Sequence, residues 1–222
     1  NAAIQLKPNY PEAHNNLGNA LQEQEDLDAA IATLNIALQL KPNYPEAHYN
    51  IGNVLQEKGE LTKAIASYNT ALELKPNYPE AHWNAALTML LGGDYKNGLE
   101  KYEWRAKLSN STSKPCAIPN CSKWHGEPLS KGTKLLLVTE QGLGDILQFM
   151  RYALVLQEKG ICVSFCAPPR LHPLIIASEL DSSPISPEEA NEVQRGYWAP
   201  LLSVPMHLGI SQENPIFADP YI

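Results

Sequence analysis

The octapeptide Lys-Pro-Asn-Tyr-Pro-Glu-Ala-His occurs three times in the first half of the chain, and its spacing limits what that half can fold into. The copies begin at Lys7, Lys41 and Lys75, so the offset is 34 residues each time. Residues 11–44 and 45–78 are identical at 22 of 34 positions. A fixed period of this length is typical of solenoids, in which each repeat is one supersecondary unit stacked on the next.

Each copy of the repeat has the apolar spacing of two helices. In the first copy, Leu17 and Leu21 lie on one helical stripe, and Leu27, Ile31 and Leu34 lie on another. The second proline of each octapeptide, at Pro11, Pro45 and Pro79, suits the first position of a helix, where its missing N–H group costs nothing. The sequence therefore predicts two antiparallel helices per unit, joined by a tight turn.

This pattern resembles the tetratricopeptide repeat (TPR). We assign residues 1–108 to such repeats: the end of one repeat, followed by full units at the ranges 11–44, 45–78 and 79–108. Small residues recur where the two helices of a unit are expected to cross, as in Gly18 with Ala30. The fold class predicted for this half is an α-helical TPR solenoid.

The turn between the two helices differs in the first unit. The second and third units have Gly59 and Gly93 in this turn, whereas the first unit has Glu25. Glycine adopts a left-handed backbone without a steric penalty, and glutamate does not. The first turn is therefore expected either to avoid that conformation or to accept strain.

Asparagines recur on the first helix of each unit, the helix that lines the concave face of such a solenoid. Asn16, Asn50 and Asn84 occupy one repeat position, and Asn19 and Asn53 occupy another. An amide both donates and accepts hydrogen bonds, so a row of amides can hold an extended peptide backbone. The O-GlcNAc transferases, which these units resemble, hold protein acceptors with asparagines at this position. Ordinary solvent-facing asparagines would give the same pattern, and both interpretations remain open.

The third unit departs from this polar pattern. Where the second unit has Asn53 and Gln56, the third has Leu87 and Leu90, followed by Leu91. Apolar side chains on an otherwise polar groove need a cover. We therefore predict that these leucines form a junction with the following domain.

The recurring histidines do not predict a metal site. His14, His48 and His82 are one repeat apart, and neighbouring packed helices stand about 10 Å from one another, too far for shared coordination. Structural packing is the favoured interpretation, and no metal site is predicted.

The second half of the chain changes character. Residues 109–132 are rich in turn-forming residues and are interpreted as a linker. Residues 133–222 then have the pattern of a βαβ unit and hence of an open α/β sheet. The predicted order is strand, glycine loop, helix, strand and helix, over the ranges 133–139, 140–145, 145–159, 161–167 and 171–180.

Three segments of this half resemble bacterial glycosyltransferases fused to TPR repeats. They are the Trp-x-Gly of residues 124–126, the stretch 135–152 and the stretch 200–205. These enzymes are similar to the heptosyltransferases and O-GlcNAc transferases, which have two Rossmann-like domains around a cleft. The resemblance implies that residues 133–222 are the acceptor-side Rossmann-like domain, in truncated form.

The glycine loop is the candidate catalytic segment. Gly142 and Gly144 would let a sugar or phosphate approach the backbone, and the whole sugar loop comprises Gln141, Gly142, Leu143 and Gly144. The resemblance implies that Asp145 removes the proton of the acceptor hydroxyl. Capping of the following helix by Asp145 is the alternative.

The resemblance implies that the chain is part of a glycosyltransferase that moves a sugar from a nucleotide sugar to a protein or glycan acceptor held by the repeats. It is expected to be inactive alone, because the donor-binding domain is absent. It would bind no cofactor itself, since the nucleotide sugar is the donor substrate of the intact enzyme. The alternative is an interaction scaffold, in which the repeats bind a protein or peptide and the α/β part has no catalytic role.

Composition excludes several other classes. The net charge of −7 argues against nucleic-acid binding, which needs a basic surface. No apolar run is long enough to span a membrane. Four cysteines in 222 residues do not indicate a disulfide scaffold, so a cytoplasmic location is expected.

Overall fold

The computed structural model describes residues 2–109, 114–140 and 142–215. The chain divides into two compact units, Asn1–Trp104 and Arg105–Ile222. Each unit has its own core and is described separately.

The first unit is entirely helical in its described part, with three consecutive helix pairs. The helices are α1 Ala2–Leu6, α2 Pro11–Glu23, α3 Leu27–Leu40, α4 Pro45–Glu57, α5 Leu61–Leu74, α6 Pro79–Leu91 and α7 Tyr95–Tyr102. The proline of each repeat is the first residue of its helix, as predicted. A 3-10 helix, Glu103–Lys107, follows.

A hydrogen bond within each octapeptide stabilises the turn that precedes the first helix of the unit. In each copy the histidine Nε2 hydrogen-bonds to the carbonyl oxygen of the proline six residues earlier, at 2.9 Å for His14, 3.1 Å for His48 and 2.9 Å for His82. The histidines therefore fix the entry to the first helix of each unit, which agrees with the structural interpretation of these residues.

Ion pairs also connect successive copies of the octapeptide, and each pair lies within one unit. Lys41, near the end of the first unit, forms an ion pair with Glu12, near its start, at 3.3 Å, and the Lys41 ammonium group lies 4.3 Å from the ring centroid of Tyr44. Lys75 repeats the ion pair with Glu46 at 3.1 Å. These pairs are half-exposed, and such contacts contribute modestly to stability. Their repetition shows that the first and second units join their two ends in the same way.

The core of the first unit depends on two close approaches at glycine. A Cβ atom on Gly18 would lie 2.5 Å from Leu34 Cγ, and one on Gly52 would lie 2.5 Å from Tyr68 Cε1. The predicted crossing of the paired helices is therefore close at these glycines. The atoms that approach them most closely belong to Leu34 and Tyr68. Leu34 lies four residues beyond Ala30, the residue that was predicted to face Gly18.

The turn of the first unit accepts strain. Glu25 has a φ of 62°, close to the 76° of Gly59 in the second unit. The Glu25 turn therefore keeps the geometry of the other units, although a side chain disfavours that geometry.

We expect Glu25→Gly to increase the free energy of unfolding by about 0.5–1 kcal/mol, because the relief of left-handed strain exceeds the entropy cost of glycine. The matched variant Gly59→Glu should lower stability, and backbone conformation alone would cause this, since no atom lies within 4 Å of a Cβ at Gly59. Urea unfolding followed by the helical circular dichroism signal measures both changes. Equal stability of Glu25→Gly and the wild type would contradict the strain argument.

The second unit contains a four-stranded sheet whose strands are all parallel, in the order β1-β4-β2-β3. The strands are β1 Ser122–Lys123, β2 Lys134–Val138, β3 Cys162–Cys166 and β4 Tyr197–Pro200. Strands β2 and β3 confirm the two predicted strands. The short strands β1 and β4 were not predicted.

Short helices surround this sheet. They are α8 Leu143–Phe149, α9 Tyr152–Glu158, α10 His172–Ala177, α11 Pro187–Ala190 and α12 Val204–His207, with 3-10 turns at Pro169–Leu171 and Leu201–Ser203. The single helix predicted at 145–159 is wrong: it is divided between α8 and α9. Arg151 donates from Nε to the carbonyl oxygen of Gln148 at 2.9 Å. An arginine can satisfy terminal carbonyl groups in this way and so close the end of a helix.

Candidate functional site

An open polar cavity of about 440 Å³ lies across the first two repeats. It is lined by Asn19, Gln22, Glu23, Glu25, Asn50, Asn53 and Glu57. We call this surface the amide groove. It brings together three of the five predicted groove asparagines, Asn19, Asn50 and Asn53. Of the other two, Asn16 lines a separate depression of about 320 Å³.

Several of these asparagines form a hydrogen-bond ladder between successive units. Asn50 Nδ2 donates to Asn15 Oδ1 at 2.8 Å, and Asn84 Nδ2 donates to Asn53 Oδ1 at 2.8 Å and to the Tyr49 hydroxyl at 3.0 Å. Asn84 uses both of its amide N–H groups in these bonds, whereas Asn50 uses one of its two. The ladder therefore holds the amides in place and leaves part of their hydrogen-bonding capacity unused.

A buried tyrosine supports the ladder from the second helix. The hydroxyl of Tyr68 donates to Asn53 Oδ1 or to Gln56 Oε1, each at 2.9 Å. Burial raises the pKa of Tyr68 well above its ordinary value, so the hydroxyl remains a donor across the physiological range. Tyr68 was not predicted from the sequence, because an apolar core position gives no sign that its hydroxyl reaches the groove residue Asn53.

Asn19 differs from the other groove amides. Its Oδ1 atom is buried and has no hydrogen-bond partner among the described residues. A buried acceptor without a partner is uncommon in folded proteins. Asn19 Oδ1 is therefore a groove amide atom whose hydrogen-bonding capacity is unused within the described structure.

The predicted leucine junction lies on the third unit. Leu87 and Leu90 are half-buried on α6, and Leu90 packs within its own unit, 2.9 Å from where a Cβ of Gly98 would stand. Leu91 is 70% exposed. The role of these three leucines as a domain junction remains a prediction.

The predicted sugar loop follows β2. Gln141 lies outside the described residues. Gly142, at φ 110°, is the N-cap of α8, and Leu143, Gly144 and Asp145 are exposed. No described side chain caps α8, so the capping interpretation of Asp145 is not supported. Its catalytic role remains a prediction.

A buried ion pair lies at the carboxyl end of β2, where no sequence motif indicated one. Arg105 donates from Nε to Glu140 Oε1 at 2.9 Å and from Nη2 to Ser203 Oγ at 3.0 Å. The other Glu140 oxygen accepts the backbone N–H of Leu202 at 3.0 Å. The ion pair thus connects Arg105 to the chain segments that follow β2 and β4. It could not be predicted from the sequence, because these residues are far apart and no local motif contains all of them.

Two cysteines also meet beside this edge of the sheet. The Sγ atoms of Cys116 and Cys166 are 3.7 Å apart. The hydrogen bond between the two thiols lowers the pKa of Cys116 below its ordinary value, although burial opposes the shift. The other two cysteines do not join them, and the described residues contain no cluster of three or more histidine, cysteine or acidic side chains that could hold a metal ion.

Comparison with known proteins identifies the class of the first unit. A family model for TPR repeats matches residues 1–25, 18–59 and 52–93. The first 93 residues are therefore TPR repeats, as the sequence pattern predicted. The second unit is a small parallel sheet outside that match. No described helix is long and apolar enough to cross a membrane.

Several solved structures are similar to part of the chain. A crystal structure of MamA is 28% identical, with a TM-score of 0.43, over 46% of this chain and 59% of MamA. YrrB, a TPR protein with an unusual peptide-binding site, is 22% identical, with a TM-score of 0.47, over 50% of this chain and 58% of YrrB. The TPR2B domain in the pHsp70 complex of yeast Sti1 is 21% identical, with a TM-score of 0.43, over 45% of this chain and 83% of the TPR2B chain. The chain spans less than two thirds of the length of MamA and YrrB. No curated protein matches it.

Proposed function

We propose that this chain is an interaction module whose TPR repeats bind an extended protein segment in the amide groove. The observation that carries the proposal is the convergence of Asn19, Asn50 and Asn53 on one open polar cavity. A cavity lined with amides can hydrogen-bond the alternating N–H and C=O groups of a peptide backbone. The ladder to Asn15 and Asn84 keeps Asn50 and Asn53 fixed before a ligand arrives, which reduces the entropy cost of binding.

A selection from random peptides displayed on phage, followed by fluorescence polarisation of the enriched sequences, tests this proposal. We expect Asn19→Ala to weaken binding about fivefold, since it removes one hydrogen bond of about 1 kcal/mol to the ligand. The fold should be unaffected, because Asn19 Oδ1 has no partner within the described chain. The matched variant Asn35→Ala changes an exposed asparagine on α3, which does not line the cavity, and should bind like the wild type. Equal losses in both variants, or no enriched peptide at all, would refute the groove as the binding site.

A second candidate function is sugar transfer by the α/β unit, as the acceptor half of a glycosyltransferase with a Rossmann-like fold. The observation that favours it is the position of the glycine loop. The loop follows β2, which has β3 on one side and β4 on the other, and open parallel sheets bind ligands at the carboxyl ends of strands where the strand order reverses. In this proposal Asp145 is the base, the loop receives the acceptor, and the TPR repeats present it. Nucleotide-sugar binding belongs to a separate donor domain.

This second candidate is tested in a protein that joins the sequence to a donor-binding domain. We expect transfer of a radiolabelled sugar from a mixture of nucleotide sugars to depend on Asp145, with Asp145→Asn abolishing transfer and leaving the melting temperature unchanged. Transfer that survives this substitution would remove Asp145 from the mechanism. Micromolar binding of a nucleotide sugar to the present chain would contradict its assignment as the acceptor half.

A further inference from the structure

Most of the net negative charge of the chain lies in the first unit. Residues 1–104 contain 7 lysines, no arginine and 13 acidic residues, which gives −6 of the chain's net charge of −7. A surface of this kind attracts cations and repels anions over about the Debye length, roughly 8–10 Å at physiological salt. Some carboxylates of the unit therefore have no cationic partner within it.

Four of the seven lysines of this unit form described ion pairs, all with carboxylates outside the amide groove. The pairs are Lys41 with Glu12, Lys58 with Asp28 and Glu60, Lys63 with Glu60, and Lys75 with Glu46. In contrast, no lysine, arginine or histidine of the described chain forms an ion pair with Glu23, Glu25 or Glu57. These three carboxylates line the groove and are exposed.

The rest of the groove also favours a hydrogen-bond donor as its ligand. Asn19 Oδ1 is buried without a partner in the described structure. Glu57 accepts one hydrogen bond, from the neutral amide Nε2 of Gln22 at 3.0 Å, and this leaves its charge uncompensated. The groove therefore has three carboxylates lining a cavity of about 440 Å³, and a buried amide oxygen of a lining residue, Asn19, without a described partner.

We infer that the segment bound in the amide groove is cationic, with a lysine or arginine side chain placed between Glu25 and Glu57. This inference rests on the proposed peptide binding and adds the chemistry of the peptide. The amides hold the backbone of the peptide, and the carboxylates select its side chains. An anionic segment is disfavoured, because it would bring like charges together in a groove without a described cation.

The test uses the full chain and three fluorescein-labelled peptides of equal length, in which alanine alternates with lysine, glutamine or glutamate. We expect the lysine peptide to bind most tightly and the glutamate peptide not to bind. Raising NaCl from about 50 mM to about 500 mM should weaken the lysine peptide, because salt screens exposed charges. Equal affinity for the lysine and glutamine peptides would overturn the inference and leave the proposed peptide binding intact. Failure of all three peptides to bind would overturn both.

Variants separate the groove from the general charge of the unit. The double variant Glu25→Gln/Glu57→Gln should weaken the lysine peptide about tenfold, since each exposed charge pair contributes modestly. Glu73→Gln removes the same kind of charge from α5, outside the groove, and should have little effect. An equal loss from Glu73→Gln would show a non-specific attraction and overturn the inference. Glu25→Lys/Glu57→Lys should reverse the preference toward the glutamate peptide, a gain that an unfolded variant cannot produce.

Discussion

Replacing Arg105 with methionine should destabilise the α/β unit by about 3–5 kcal/mol, because it leaves the carboxylate of Glu140 buried without its counterion. Both side chains are almost fully enclosed, with 2% and 1% exposure. Glu140→Gln should cost a similar amount for the opposite reason, since the guanidinium group then stays buried without a charged partner. Hydrogen exchange of the β2 and β4 amides measures the loss within this unit alone.

The double variant Arg105→Met/Glu140→Gln distinguishes a coupled pair from two independent losses. It removes both charges, and the glutamine keeps an oxygen for the N–H of Leu202. We therefore expect its loss of stability to be clearly smaller than the sum of the single losses. Lys63→Met removes one member of an exposed pair in the other unit and should leave exchange of these amides unchanged. Additive losses in the double variant would contradict the coupling.

The repeat half of the fold was predictable from the sequence because the signals that determine it are local and occur three times. The second proline of each octapeptide marks the start of a helix, and the 34-residue period places each unit. Even the strain at Glu25 could be anticipated, since the other two units have glycine at that turn. The asparagines that line the groove were also found by repetition, although their hydrogen bonds to one another were not.

The rest depends on contacts between residues that are distant in sequence. Arg105 and Ser203 are 98 positions apart, and no periodicity relates them. Strand β4 contains only four residues and ends at Pro200, so it has too few positions to show an alternating pattern. The division of the predicted helix between α8 and α9 falls at Met150 and Arg151, and the residues around this break include no glycine or proline that would predict it.

Tyr68→Ala should destabilise the TPR unit by about 3–5 kcal/mol, the usual cost of removing a large buried aromatic side chain. Tyr68 has no exposed surface and packs against Gly52, so the space it fills cannot close easily. Tyr95→Ala removes a 37% exposed tyrosine and should cost much less. Urea unfolding followed by helical circular dichroism measures both variants. A small loss for Tyr68→Ala would mean that the neighbouring helices collapse into the cavity.

The conservative variant Tyr68→Phe connects the core to the groove. It keeps the ring and loses only the hydroxyl, so the stability cost should fall to about 1 kcal/mol. Asn53, however, loses the donor that helps to fix its oxygen, and Asn53 lines the groove and receives the Asn84 amide. We therefore expect Tyr68→Phe to weaken peptide binding in fluorescence polarisation while most of the stability remains. If affinity is unchanged, the amide ladder supports only the stacking of the repeats, and the groove asparagines bind without help from the core.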